Sequence, residues 1–96
     1  MNSSDDYYGQ NRLDLLSLLP ADRHFHKVLE IGCGEGRSGS ALLQAKRADW
    51  ITGVEVVPEI AIRAREQLSE VLCLSIETDA LPFKNHEFDL ILLADV

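Results

Sequence analysis

Short apolar runs recur along this chain, and polar or charged segments separate them. The runs are rich in leucine and β-branched residues and are bounded by glycine, proline or charged residues, as is typical of strands. They predict strands at Val28–Ile31, Trp50–Val56, Val71–Ile76 and Phe88–Ala94. Because the apolar residues are continuous rather than alternating, we expect strands that are covered on both faces.

Segments with apolar residues at helical spacing lie between these runs. Pro20 ends the first segment, and Pro58 followed by Glu59 marks a helix start. We predict helices at Tyr7–Leu19, at Arg37–Arg47 and from Pro58 to about Ser69, with a loop at Glu77–Glu87. Residues 1–6 are polar and acidic and are expected to be disordered. The alternation of strands and helices predicts one α/β domain with a parallel sheet and right-handed crossovers.

The composition excludes several classes of partner. The chain has 96 residues and a net charge of −7, and it shows no basic stripe of the kind that a nucleic-acid backbone requires. No apolar run approaches the ~20 residues of a membrane helix, and the N-terminus does not look like a signal peptide. Cys33 and Cys73 fit no zinc pattern. We therefore expect a cytoplasmic protein with free thiols that binds neither nucleic acid nor membrane.

The stretch from Val28 to Gly39 predicts a ligand site. An apolar run leads into glycines at positions 32, 34 and 36, and a helix-compatible segment follows. Glycines allow close approach to the main chain, and a helix start offers unpaired N–H groups. A dinucleotide fingerprint would need its third glycine at position 37, which is Arg37. A nucleoside-like ligand without a phosphate at this turn therefore fits better.

Three acidic residues accompany the predicted strands, and each has two interpretations. Glu30 either belongs to the ligand site or holds the N–H groups of the turn. Glu55 either accepts hydrogen bonds from a ribose diol or is an exposed charge at the end of a strand. Asp79 either accepts from an exocyclic amine, such as that of adenine, or closes a local turn. Because the carboxyl ends of parallel strands meet at one edge of the sheet, we expect these acids and the glycine turn to converge there.

The sequence resembles the N-terminal half of a class I S-adenosylmethionine-dependent methyltransferase. Residues 28–36, Val-Leu-Glu-Ile-Gly-Cys-Gly-Glu-Gly, are similar to the first motif of that family, E/D-x-G-x-G-x-G. Gly53-Val54-Glu55 resembles its second-strand acid. Two further segments resemble motifs of the family members that act on small molecules: Asp79-Ala80-Leu81-Pro82-Phe83 and Phe88-Asp89-Leu90-Ile91-Leu92. Asp95-Val96 resembles the start of another motif. The resemblance covers about residues 25–96, and motifs in this order are more specific than the first motif alone.

The resemblance implies a role for each matching residue. The Gly32–Gly36 backbone would pack on the methionine part of the cofactor, Glu55 would bind both ribose hydroxyls, and Val56 would contact the adenine face. The carboxylate of Asp79 and the N–H of Ala80 would bind the adenine edge, and Asp95 would lie near the amino group or the transferred methyl. Tyr7 or Tyr8 would reach the cofactor's carboxylate. The implied cofactor-binding set is Glu30, Gly32, Cys33, Gly34, Gly36, Glu55, Val56, Asp79, Ala80 and Asp95.

The resemblance also implies an incomplete sheet. The family has seven strands in the order 3-2-1-4-5-7-6, and this chain supplies about four, in the order 3-2-1-4 with an N-terminal helix. We interpret residues 1–96 as one partial domain, truncated or fragmentary, with the cofactor-binding half at 25–96. One sheet face and the edge of the fourth strand would then be uncovered, which predicts self-association as a homodimer through the bare faces or fourth strands.

Three functions follow from these patterns. The first is methyl transfer from S-adenosylmethionine to a small-molecule acceptor, in which this chain is the cofactor-binding half and is weak or inactive alone. The second is an NAD(P)-binding oxidoreductase domain, and the third is a non-catalytic association module. No catalytic residue is assigned. His24, His26 and His86 match no metal or catalytic spacing, so we expect surface histidines and no metal site.

Overall fold

The computed structural model describes residues 19–93, which form a parallel sheet with two helices. The strands are β1 (Phe25–Ile31), β2 (Ala48–Val54), β3 (Glu70–Leu72) and β4 (Leu90–Leu93). The helices are α1 (Arg37–Gln44) and α2 (Pro58–Ala64). The predicted helix Tyr7–Leu19, apart from Leu19, lies outside the described residues, as do residues 1–6, Tyr7, Tyr8 and Asp95.

The sheet has the order β3-β2-β1-β4, and every neighbouring pair is parallel. In the central register, Val28 of β1 lies beside Ile51 of β2 and Leu90 of β4. The predicted α/β fold and strand order are therefore confirmed. Parallel strands bring their carboxyl ends to one edge, and the glycine turn and Glu55 follow β1 and β2 at that edge.

Strand β3 is shorter than the predicted Val71–Ile76 and ends at Leu72. The physical reason lies in the loop that follows. Asp79 accepts a hydrogen bond on Oδ2 from the N–H of Ser75 (2.7 Å), and its own N–H donates to the Ser75 carbonyl (2.8 Å). This local turn uses the backbone groups that a longer strand would need.

Both helices end earlier than predicted. Lys46, which the sequence places inside a helix to Arg47, has a left-handed φ of 58°. The N–H groups of Lys46 and Arg47 donate to the carbonyls of Leu43 and Leu42 (3.0 and 2.9 Å), the two bonds of a Schellman motif. Beyond Ala64, α2 gives way to tighter turns rather than continuing to about Ser69.

The core lies on the face of the sheet that α1 and α2 cover. Its most buried members come from both helices and from the central strands: Val28, Leu42, Ile51, Ala61 and Ala64, each 0% exposed. Leu68, just after α2, packs where three glycines leave room. A Cβ at Gly36, Gly39 or Gly53 would lie 3.1, 2.6 or 2.7 Å from a Leu68 carbon. Glycine at these positions lets α1, β2 and the turn approach one side chain.

The amino ends of β1 and β4 are joined by the side chain of Asp89. Its carboxylate accepts from the N–H groups of His26 (2.8 Å) and Lys27 (2.9 Å), and its own N–H donates to the Lys27 carbonyl (2.9 Å). Desolvation alone would raise the pKa of Asp89, but the two N–H donors outweigh it and the pKa is lowered. Asp89 therefore has a structural function immediately before β4.

The second sheet face carries exposed apolar residues. Leu90 and Leu92 of β4 pack against the core, whereas Ile91 and Leu93 point away from it and are 56% and 68% exposed. Trp50 of β2 is 41% exposed. None of the helices formed by residues 19–93 is long and apolar enough to cross a membrane.

Substitution of Gly39 by alanine tests the packing around Leu68. Alanine favours a helix over glycine by about 1 kcal/mol, so propensity alone predicts a more stable protein. A Cβ would lie 2.6 Å from Leu68 Cδ2 and 3.1 Å from both Glu30 Oε1 and Ile51 Cγ2. We therefore expect Gly39→Ala to lower the free energy of unfolding by about 1–3 kcal/mol, measured in urea. Ser38→Ala in the same helix is the matched control, and a stabilised Gly39→Ala protein would contradict the packing.

Candidate functional site

The turn between β1 and α1 has a left-handed backbone at all three glycines. The φ angles are 73° at Gly32, 58° at Gly34 and 88° at Gly36, a conformation that a Cβ disfavours. The N–H groups of Gly32 and Cys33 both donate to the Val54 carbonyl (2.9 and 3.1 Å), which ties the turn to the end of β2. The turn is therefore fixed to the sheet edge before any ligand binds.

The glycines of the turn have different surroundings. Among the described residues, a Cβ at Gly34 would meet no atom within 4 Å, so this glycine faces open space in that part of the structure. A Cβ at Gly36 would instead lie 3.1 Å from Leu68 Cγ and 3.2 Å from Gln67 Cβ. Gly34 leaves space for another molecule to approach the backbone, whereas Gly36 is required for packing.

Glu55 follows β2 and joins the glycine turn to the segment that leads into α2. Its Oε1 accepts from the N–H of Gly34 (2.9 Å), and its Oε2 accepts from the N–H of Val57 (3.1 Å). The residue is 8% exposed, and its own N–H donates to the Leu72 carbonyl (3.0 Å). Glu55 and the turn thus converge as the sequence predicts, and the carboxylate is held in one position.

Glu30 lies beneath α1 and is only 1% exposed. Its Oε1 has no hydrogen-bond partner among residues 19–93. Desolvation raises the pKa of Glu30 from 4.5 to about 7, although the N–H of Gly39 counteracts part of the rise. The side chain is enclosed by the helix and the sheet and is shielded from the open space at Gly34. This geometry favours the interpretation of Glu30 as a structural carboxylate.

Cys33 is also enclosed, at 6% exposure. Its Sγ lies 2.7 Å from the position of a Cβ on Gly53, so that strand glycine makes room for it. Burial raises the pKa of the thiol to about 12, and the charges of Glu30 and Glu55 add to the rise. Cys33 is therefore an unreactive packing residue. A glycine within a β-branched strand is the sequence signal for this contact.

Three further predicted residues, Val56, Asp79 and Ala80, are exposed. Val56 is 58% exposed at the end of β2, and Asp79 and Ala80 lie in the exposed loop that follows β3. The Asp79 carboxylate bonds within its own loop, to Ser75, rather than to the glycine turn. The structure thus brings together Glu55 and Gly34 by direct contact and keeps Asp79 in a local turn.

A cavity of about 380 Å³ lies elsewhere, between α1 and the α2 segment. Charged and amide side chains line it, among them Arg37, Gln44, Arg63 and Gln67. None of the predicted site residues that the structure describes lines it, but Glu35 of the glycine turn does. The cavity therefore borders the turn on the side of α1, beside the predicted site rather than within it.

The buried carboxyl of Glu30 predicts a pH dependence of stability. Its folded-state pKa of about 7 lies above the unfolded value, so the folded chain holds an extra proton between pH 4.5 and 7. Stability contributed by this group is therefore lost as the pH rises through that window, by about 3 kcal/mol in total. We expect urea unfolding of Glu30→Gln to lack this decline. An unchanged slope would show that Glu30 does not titrate in this way.

The profile of the methyltransferase domain family matches residues 28–96. This match spans the glycine turn, Glu55 and the loop that contains Asp79. A search of curated proteins found no match to the chain.

Several solved structures share the fold. The YcgJ protein from Bacillus subtilis superposes with a TM-score of 0.67 at 24% identity, over 88% of this chain and 37% of its own. A putative methyltransferase in complex with the Haloferax volcanii Trm112 methyltransferase activator has a TM-score of 0.75 at 22% identity, over 93% of this chain and 40% of its own. The plantazolicin methyltransferase BpumL in complex with SAH has a TM-score of 0.54 at 26% identity, over 72% and 27%.

The chain spans 27–40% of the length of these relatives. Their likeness confirms a Rossmann-like fold of methyltransferase type, and the family profile covers most of the sequence. The resemblance noted from the motifs is thereby confirmed, and the chain belongs to the methyltransferase domain family.

Proposed function

We propose that this chain binds S-adenosylmethionine at the carboxyl edge of its sheet and is the cofactor-binding half of a methyltransferase that acts on a small molecule. The observation that carries the proposal is the Glu55 carboxylate, fixed beside a glycine that faces open space. The SAH bound to the plantazolicin methyltransferase is consistent with this choice of ligand.

The carboxylate of Glu55 can accept further hydrogen bonds. Each of its oxygens has two lone pairs and uses one, for the N–H of Gly34 or of Val57. The second lone pair on each oxygen is available to a hydroxyl group. Two adjacent ribose hydroxyls match this pair of acceptors, and the carboxylate loses no side-chain freedom on binding because it is already held.

The other proposed contacts surround the same edge. The exposed side chain of Val56 offers an apolar surface to the adenine ring, and the Gly34 backbone allows the methionine part to approach. Asp79 uses Oδ2 for Ser75, which leaves Oδ1 to accept from the adenine amine beside the Ala80 N–H. Cys33 and Gly36 pack the turn against its neighbours, and Glu30 lies beneath α1. Asp95 is proposed near the amino group of the cofactor.

When bound, the cofactor would supply an electrophilic sulfonium methyl group. A lone pair of the acceptor would bond to the methyl carbon as the carbon–sulfur bond breaks, and its electrons would stay on sulfur in the leaving thioether. The residues of this chain bind and orient, and an enforced geometry of this kind is a major part of the rate enhancement. The acceptor must also lose a proton, and no residue of this chain is assigned to remove it. We propose that 1–96 alone transfers methyl groups weakly or not at all.

Calorimetric titration with S-adenosylhomocysteine tests the cofactor site. Glu55→Gln replaces one acceptor oxygen by an amide nitrogen. That nitrogen cannot accept a hydrogen bond from the backbone N–H that it faces. Loss of hydrogen bonds to a charged group costs about 1.5–3 kcal/mol each, so we expect affinity to fall at least ~10-fold. Asp79→Asn is expected to weaken binding less, because adenine contributes one bond there.

Glu35→Gln is the matched control, because Glu35 lies in the same turn but pairs with Arg63 (3.0 Å) and Arg37 (3.6 Å). Its affinity should equal that of the unaltered chain. NAD is the comparison ligand, and preferential binding of NAD would favour the oxidoreductase alternative. Equal affinity of Glu55→Gln and Glu35→Gln would remove Glu55 from the site.

We also propose that the chain self-associates through the exposed face of β4. Ile91 and Leu93 lie on this face beside Leu29 and Ile31 of β1 in the sheet register. Apolar side chains exposed on a strand favour association with another copy, because pairing removes them from water. A homodimer formed in this way leaves the carboxyl ends of β1 and β2 open to a ligand.

Sedimentation at tens of micromolar tests the association. We expect a dimer for the unaltered chain and a monomer for Ile91→Lys, because a lysine at this position would place a charge in the contact. Ile62→Lys is the matched control, since Ile62 is 60% exposed on α2 and lies outside the proposed contact. A monomeric unaltered chain would contradict the proposal.

A further inference from the structure

Three polar side chains meet at the amino ends of β1 and β2, at the opposite edge of the sheet from the glycine turn. His24 immediately precedes β1, His26 is its second residue, and Asp49 is the second residue of β2. The register pairs the residues on either side of His26 with those on either side of Asp49. The spacing of the histidines along the sequence does not reveal this cluster, because the third member lies on another strand.

The distances within the cluster are short. His24 Nε2 lies 2.7 Å from Asp49 Oδ1, and His26 Nδ1 lies 3.0 Å from Asp49 Oδ2. One ligand atom from each residue lies within 4.8 Å of the others. The side chains of His24, His26 and Asp49 are 44%, 81% and 57% exposed, so solvent reaches the space between them.

The orientation of His24 is fixed by the end of α1. Its Nδ1 lies 3.0 Å from the carbonyl oxygen of Lys46, the residue with the left-handed φ that closes the helix. A carbonyl only accepts, so Nδ1 donates its proton there, and the ring directs Nε2 at Asp49 Oδ1, 2.7 Å away. An imidazole nitrogen and a carboxylate oxygen that face each other in this way are two ligand atoms that one cation can bind together.

We propose that His24, His26 and Asp49 form a binding site for a divalent transition-metal ion of the zinc type. Two imidazoles and a carboxylate are a ligand set that zinc favours, and the two imidazoles disfavour calcium and magnesium. The hydrogen bond from His24 Nδ1 to a backbone carbonyl is the outer contact that orients metal-bound histidines. Ligand atoms around tetrahedral zinc lie about 3.4 Å apart, so small side-chain rotations close the site, and water completes it.

The proposed ion has a structural consequence. It would link β1 to β2 at the edge where Lys46 ends α1, and it would bind the folded chain better than the unfolded one. Metal binding would therefore stabilise the fold by mass action. The site lies at the end of the strands away from Glu55, so it is independent of the proposed cofactor.

Cobalt and zinc titrations of the full chain test the site. The experiment uses a Cys73→Ser background, because Cys73 is an exposed free thiol that would bind metal by itself. We expect Co²⁺ to give visible d–d absorption that saturates at one ion per chain and disappears on addition of Zn²⁺. Zinc alone should raise the unfolding temperature.

His26→Ala and Asp49→Asn each remove one ligand, and we expect each to weaken zinc binding by at least ~10–100-fold. His86→Asn is the matched control, because it removes a histidine from a distant loop and asparagine tolerates the positive φ of 63° at that position. Metal-free melting of every variant checks that it folds. Equal zinc affinity of His26→Ala, Asp49→Asn and His86→Asn, or no binding by the unaltered chain, would overturn the proposal.

Discussion

The close packing of Leu68 against three glycines is the contact on which the rest of the structure depends. Gly36 belongs to the turn, Gly39 to α1 and Gly53 to β2, so one side chain fixes the distances between these elements. A Cβ at any of these positions would crowd the Leu68 side chain that packs between them. The separation of α1 from β1 in turn determines how deeply Glu30 is buried, and the position of the turn determines whether Gly34 reaches Glu55.

Two carboxylates on neighbouring strands have opposite environments: Glu30 in β1 and Glu55 just after β2. Glu55 receives two backbone N–H bonds, which satisfy its charge at the sheet edge. Glu30 is enclosed, one of its oxygens has no partner in the part of the chain that the structure describes, and its pKa is raised to about 7. Burial of an acid without full pairing destabilises the folded chain above its pKa, so the ionised form of Glu30 lowers the stability of the fold.

The sequence predicted the sheet order, the glycine turn and the convergence of Glu55 with it, because strand periodicity and motif resemblance depend on local patterns. The predictions from the sequence were wrong where a tertiary contact or an unusual backbone conformation determines the end of an element. The stop at Lys46 needs a left-handed lysine, which composition does not indicate, and β3 ends early because Asp79 binds its own loop. The His24–Asp49 contact joins residues 25 positions apart, and only the strand register brings them together.

The two edges of the sheet are subject to different constraints. At the carboxyl edge, the carboxylate of Glu55 accepts hydrogen bonds from the N–H groups of Gly34 and Val57. Its remaining lone pairs are left for a ligand. At the amino edge, Asp89 accepts from the N–H groups of His26 and Lys27, and the side chains of His24, His26 and Asp49 interact with one another. Because Asp89 already satisfies the backbone at that edge, an ion bound there would add a link between β1 and β2 without replacing any hydrogen bond of the sheet.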